Sequence, residues 1–94
     1  MTKAEARQII DSMELPEAQA RAARRTIVRA TASEDIGVTR EASGVVVLTR
    51  TRPGRTGRQV FEDTILPDGS KQVVQKAYDA AGNLVHHDPK GGTP

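Results

Sequence analysis

Residues 57–90, GRQVFEDTILPDGSKQVVQKAYDAAGNLVHHDPK, decide the fold of this 94-residue chain. Valine, isoleucine, threonine and aromatic residues concentrate at 59–66 and again at 72–78, which is typical of β-strands. The Pro-Asp-Gly sequence at 67–69 lies between them and has the composition of a tight turn. The segment therefore predicts an antiparallel hairpin.

The predicted sheet extends beyond this hairpin in both directions. Residues 80–83 contain a second turn sequence, and residues 84–87 supply another strand, which Pro89 is expected to end. Upstream, the valine-rich residues 45–52 predict a further strand, and residues 36–41 predict a short edge strand. The sequence thus predicts a meander of four to five antiparallel strands.

Two helices are predicted before the sheet. Apolar residues recur at helical spacing over residues 2–13, and Pro16 suits the first turn of a second helix that ends near residue 31. With helices at about 2–32 and the sheet at about 36–88, residues 1–94 form one α+β domain whose helices pack on the sheet. The expected common core contains Ile10, Ile27, Phe61 and Ile65.

The composition excludes several classes of site. The chain has no cysteine, so it has no disulfide, no thiolate metal site and no cysteine nucleophile. The two histidines, His86 and His87, are adjacent, and strand neighbours point to opposite faces, so they do not converge on one metal ion. We therefore expect no metal and no cofactor. With only two aromatic residues, Phe61 and Tyr78, the chain lacks the stacking platforms of an RNA-recognition domain.

The sequence contains no apolar segment long enough to span a bilayer or to serve as a signal peptide. We therefore expect no membrane association and no signal peptide of its own.

Positive charge concentrates in the middle of the chain. Residues 21–60 contain nine arginines and three acidic residues. The arginine fork suits bidentate contacts with phosphate, so this region predicts a polyanion-binding surface. An ordinary solvated surface explains the same composition, particularly for the arginines along the second helix.

The segment YDAAGNLVHHDPKG at 78–91 resembles one YD repeat of the rearrangement-hotspot and teneurin-type shells. A shell requires many stacked copies, and this chain has one. A free-standing repeat shell is therefore excluded by length, although a fragment of such a shell remains an alternative.

The longer segment 52–90 resembles the C-terminal toxin domains of bacterial polymorphic toxins, which often follow YD-repeat shells. Its Gly-Arg-x-Val-Phe-Glu start, Asp-Gly turn, Asp-x-x-Gly-x-Leu element and Asp-Pro-Lys end are similar to the last strands of ribosome-cleaving colicins and contact-dependent inhibition toxins. The order of helices and strands also resembles the barnase, colicin and RelE-like ribonuclease folds. In those colicins the acid–base cluster lies upstream, where residues 1–51 here contain no histidine. The resemblance therefore implies the framework and leaves the catalytic residues open.

Metal-independent RNA cleavage requires a base, an acid and cations near the phosphate. Glu62 is the candidate base, His86 or His87 the candidate acid, and Arg52 a candidate phosphate ligand. We favour His86, because alternation places it with Leu84 and Asp88. Further candidates for nucleic-acid binding are Arg50, Arg55, Arg58, Lys76 and Gln75. Glu62 in a cross-strand salt bridge to an arginine, and surface histidines without a catalytic role, are the structural alternatives.

The resemblance implies an interbacterial toxin domain, a ribonuclease that acts on cellular RNA. It would be the C-terminal part of a larger secreted protein, act as a monomer in the target-cell cytoplasm, and be neutralised by an acidic immunity protein. DNA as the substrate remains open. The alternative is a non-enzymatic module that binds nucleic acid or protein, such as a phage-encoded inhibitor.

Overall fold

The computed structural model describes the backbone of residues 1–93 and the side chains of residues 1–89. Two helices precede five strands, as predicted. The elements are α1 (Lys3–Ser12), α2 (Glu17–Arg29), β1 (Asp35–Arg40), β2 (Val46–Pro53), β3 (Gly57–Ile65), β4 (Lys71–Asp79) and β5 (Leu84–Thr93). Neither helix is long and apolar enough to cross a membrane.

Local sequence signals explain where the helices begin. The Thr2 hydroxyl accepts a hydrogen bond from the Glu5 N–H at 3.2 Å, and the Glu5 carboxylate accepts one from the Thr2 N–H at 3.0 Å. This reciprocal capping box fixes the start of α1. Pro16 directly precedes α2, where its fixed φ of −50° leads the chain into the first turn.

The strands form one antiparallel meander in the order β1-β2-β3-β4-β5. The turn between β3 and β4 contains Gly69 at φ +89°, and the turn between β4 and β5 contains Gly82 at φ +88°. This left-handed backbone conformation favours glycine at both positions. The α+β architecture predicted from the sequence is confirmed.

The core lies between the helices and one face of the sheet. Ala6 and Ile10 from α1 and Ala23 and Ile27 from α2 are buried against apolar strand residues. Those strand residues are Ile36, Val46, Leu48 and Ile65, each at most 2% exposed. Since the helices contact mainly β1 to β3, they cover only part of the sheet.

Two details of the prediction are wrong. Phe61 is only half-buried, because it lies on the same face as Ile65 but beyond the helices, where the guanidinium groups of Arg50 and Arg52 cover its ring at 4.7 and 5.7 Å. The strand that Pro89 was expected to end continues to Thr93. A proline is tolerated there because β5 is an edge strand.

Candidate active site on the open face of the sheet

The sheet has two unlike faces. Residues directly opposite each other in an antiparallel ladder share a face, and successive residues alternate. The face that carries Ile36, Leu48 and Ile65 is covered by the helices, and we call it the helix-side face. The other, here called the open face, is covered by none of the elements formed by residues 1–93.

The register divides the residues predicted for the site between these faces. The open face holds Arg58, Glu62, Lys76 and His87. The helix-side face holds Arg50, Arg52, Gln75 and His86. The remaining candidate, Arg55, lies in the exposed turn between β2 and β3. One site containing all the candidates is therefore excluded by the geometry.

Glu62 and Lys76 form an ion pair on the open face. The Lys76 Nζ lies 2.6 Å from Glu62 Oε1, and both side chains are about one quarter to one third exposed. The hydrogen bond to Glu62 raises the pKa of Lys76 and overcomes the opposing effect of desolvation. Lys76 therefore stays charged. The salt bridge expected as the structural alternative for Glu62 is present, but its partner is a lysine.

His87 lies directly opposite Lys76 on the neighbouring strand. Two strand spacings of about 4.8 Å and an offset of two residues place the Cα atoms of Glu62 and His87 roughly 12 Å apart. Each side chain can reach several ångströms towards the other across Lys76. A carboxylate, an ammonium group and an imidazole thus lie on one face of three consecutive strands, Glu62 diagonally from Lys76 and His87 directly opposite it.

Arg58 and Tyr78 lie at the end of the same face. They are directly opposed in the β3–β4 ladder, and the Cζ of Arg58 lies 4.5 Å from the centre of the Tyr78 ring. A Cβ at Gly57 would lie 1.8 Å from the Tyr78 carbonyl oxygen. The close approach of the two strands here therefore requires glycine.

Arg50 has a structural role on the helix-side face. It makes two hydrogen bonds to the wholly buried Asp63 and lies 3.8 Å from Glu34. Arg52 lies 3.6 Å from the same Glu34 carboxylate. These contacts engage the charges of both arginines within the fold, and Arg50 in particular has little exposed surface left for a ligand.

His86 and Gln75 lie away from Glu62. The Nε2 of His86 lies 4.0 Å from the Asp88 carboxylate on the same strand, and Gln75 is paired with Phe61 and Asp88 on the helix-side face. His86 shares a face with Asp88, as predicted, but the register shift between Ala77 and Tyr78 places Leu84 opposite Tyr78 on the other face. The face that holds His86 is also the one opposite to Glu62. The preferred combination of Glu62 with His86 is therefore geometrically wrong, and His87 is the histidine that shares a face with Glu62.

The basic middle of the sequence does not form one surface. The exposed Arg21, Arg25 and Arg29 lie on α2, on the opposite side of the sheet from the open face. Among the residues whose side chains are described, Arg58 and Lys76 lie on the open face at β3 and β4, and Arg55 lies in the exposed turn between β2 and β3.

Two buried acids were missed by the sequence analysis. Asp63 lies two residues from both Phe61 and Ile65 and so shares their face of the strand, which means that its inward orientation was predictable from the sequence. Glu34 lies in the loop after α2, where no periodicity indicates burial. Its Oε1 accepts a hydrogen bond from the Thr31 N–H at 2.7 Å.

The described residues contain no group of three or more potential metal ligands. Comparison of the chain with protein-family models, with curated proteins and with solved structures found no match.

Proposed function

We propose that this protein is a metal-independent ribonuclease whose reacting groups lie on the open face. The observation that carries the proposal is that Glu62, Lys76 and His87 lie on one face of the neighbouring strands β3, β4 and β5. It combines a carboxylate, a fixed positive charge and an imidazole, which are the groups that phosphodiester transfer by acid–base catalysis requires.

In the proposed reaction, the Glu62 carboxylate accepts the proton of the 2′-hydroxyl as the oxygen attacks phosphorus. The Lys76 ammonium group turns from Glu62 to a nonbridging phosphate oxygen and stabilises the charge that develops there. Protonated His87 donates its proton to the leaving 5′-oxygen. One phosphorus–oxygen bond forms and one breaks, so the products are a 2′,3′-cyclic phosphate and a 5′-hydroxyl.

The separation of Glu62 and His87 supports this assignment of roles. Attack and departure occur on opposite sides of the phosphorus atom, so the base and the acid must approach from two directions. With Cα atoms roughly 12 Å apart, the two side chains can reach a phosphate held between them by Lys76.

A module that binds RNA without cleaving it is the second candidate. The observation that favours it is the short contact between Lys76 and Glu62, which occupies the proposed base. Both candidates use the same face, and they differ in whether RNA separates this pair.

The resemblance of residues 52–90 to the polymorphic toxins extends the proposal to the role of the protein between cells. The domain would be delivered as the C-terminal part of a larger secreted protein into a target cell. An acidic immunity protein would cover cations near the open face, among them Arg55, Arg58 and Lys76. Expression without such a partner should then arrest the host, and the Glu62→Gln variant should be tolerated.

The direct test is to incubate the purified protein with RNA in excess chelator and to identify the ends of the products. We expect 2′,3′-cyclic phosphate and 5′-hydroxyl ends, with cleavage about 10²- to 10⁴-fold slower for Glu62→Gln. Glu17→Gln, an exposed carboxylate on α2, is the matched control and should cleave normally. If the folded protein binds RNA without cleaving it, the second candidate replaces the ribonuclease; if it does neither, both fail.

A further inference from the structure

We propose that Arg58 and Tyr78 form a binding platform for one unpaired base of single-stranded RNA, beside the phosphate held by Lys76. This inference rests on the proposed function, because it places the base relative to that phosphate.

The platform is a stack of two planar groups. The Arg58 guanidinium lies 4.5 Å from the centre of the Tyr78 ring, and Arg58 as a whole is exposed. Among the described residues Arg58 has no salt-bridge partner. Its positive charge and the outward side of its guanidinium group are therefore available to a ligand. Proteins that bind single strands use aromatic rings and arginine planes of this kind to stack bases.

The position along the strand suits a neighbouring nucleotide. Tyr78 follows Lys76 by two residues on β4, so both lie on the open face about 6.7 Å apart along the strand. A sugar and its phosphate can bridge this distance. A phosphate over Lys76 thus leaves the adjoining base over Arg58.

Apolar neighbours favour a base over a second phosphate at this position. Leu84 lies directly opposite Tyr78 and is 52% exposed. The next apolar residue, Val85, lies at the register shift between the pairs Tyr78–Leu84 and Ala77–His86 and is 62% exposed. A phosphate ligand gains nothing from an exposed leucine, whereas a base stacked on the Arg58 guanidinium buries apolar surface against Leu84.

The test compares two ligands of equal charge and length. One is a tetranucleotide of 2′-O-methyl RNA, which is not cleaved because its 2′-oxygen is blocked. The other is the same backbone without bases. One stacked base contributes roughly 5- to 150-fold in affinity, so the wild-type protein should prefer the first ligand by about that factor.

The Arg58→Lys variant keeps the positive charge and removes the planar guanidinium group. We expect it to lose most of the preference for the base-containing ligand, while its affinity for the abasic backbone stays within about twofold. Tyr78→Leu keeps an apolar side chain without a ring and should behave similarly. The Lys76→Gln variant should lose affinity for both ligands by the same factor.

The fluorescence of Tyr78 gives a second readout, because the chain has one tyrosine and no tryptophan. The base-containing ligand should change it more than the abasic backbone does. Equal affinity of the wild-type protein for the two ligands, or equal loss of both in Arg58→Lys, would overturn the platform and leave the ribonuclease proposal standing. If neither ligand binds the wild-type protein, the proposed function fails together with the platform.

Discussion

The Nε and Nη2 atoms of Arg50 lie 2.8 and 3.3 Å from the two carboxylate oxygens of Asp63, whose side chain has no exposed surface. This two-point contact joins β2 to β3 at the edge of the core. The Lys71 Nζ also lies near this carboxylate, but at 4.0 Å it makes no hydrogen bond. A buried carboxylate that loses its hydrogen-bonding partner is strongly destabilising. Arg50 therefore has a structural role, because it satisfies a carboxylate that the fold buries.

Arg50→Ala should lower the free energy of unfolding by about 3–5 kcal/mol. Urea denaturation followed by circular dichroism measures this change. Arg52→Ala is the control, since Arg52 is 43% exposed and its contact with Glu34 is 3.6 Å; we expect a loss within about 1 kcal/mol. Similar small losses in both variants would contradict the structural role of Arg50.

Glu34 should make stability depend on acid pH. Burial raises the pKa of its carboxyl group, but the Thr31 N–H and the Arg50 guanidinium outweigh this effect and hold the pKa below its usual range. A carboxylate with a lowered pKa in the folded state stabilises the protein at neutral pH. That stability is lost as the pH falls below about 4.3, the usual value for glutamate, and through the lower folded pKa.

Glu34→Gln should therefore be less stable than the wild type at pH 7 and should lose less stability between neutral and acid pH. The measurement is the urea midpoint as a function of pH. Glu17→Gln is the matched control, because Glu17 is exposed on α2. Parallel wild-type and Glu34→Gln curves would refute this account of Glu34.

The fold was predictable because its signals are local. Turn sequences such as Pro-Asp-Gly at 67–69 and the alternation around Phe61 and Ile65 specify the meander without knowledge of distant contacts. The end of β5 was misjudged because Pro89 is acceptable on an edge strand, and edge position depends on the whole sheet.

The division of the candidate site was only partly predictable. Alternation separates His86 from His87, but assigning either to the face of Glu62 requires the register between β4 and β5. That register contains a shift between Ala77 and Tyr78, which no local pattern in the sequence indicates. The partner of Glu62 was missed for a related reason, because Lys76 reaches it diagonally across the β3–β4 ladder.

Gly57→Ala should disturb the end of the open face. Its new Cβ would collide with the Tyr78 carbonyl oxygen, so the two strands must separate. We expect a loss of about 1–3 kcal/mol, as for other overpacked positions. A changed emission of Tyr78 in the folded variant is the local readout. The control Thr56→Ala changes a neighbouring exposed residue and should alter neither quantity. A Gly57→Ala variant with the stability and emission of the wild type would contradict the close approach of the two strands.

RNA binding should depend only moderately on salt. Within residues 1–89, whose side chains are described, Arg58 and Lys76 lie on the proposed surface and Arg55 lies in the adjoining turn. If each of these three cations contacts one phosphate, the logarithm of the binding constant should fall with the logarithm of the salt concentration with a slope of roughly −2, at about 0.7 per contact. Lys76→Gln should reduce the slope by about 0.7. The control Arg25→Gln changes an exposed arginine on α2 and should leave it unaltered. A much steeper salt dependence in the wild type that becomes weaker in Arg25→Gln would show that RNA binds to the helices instead.

The adjacent histidines provide the most direct test of the central claim, that chemistry occurs on the open face. His86 and His87 differ by one position and lie on opposite faces of the same strand. The measurement is the rate of RNA cleavage in excess chelator by His86→Ala and His87→Ala, with both variants checked for folding. The account predicts a loss of about 10²- to 10⁴-fold for His87→Ala and nearly wild-type cleavage by His86→Ala. Unchanged cleavage by His87→Ala, or a loss confined to His86→Ala, would contradict it.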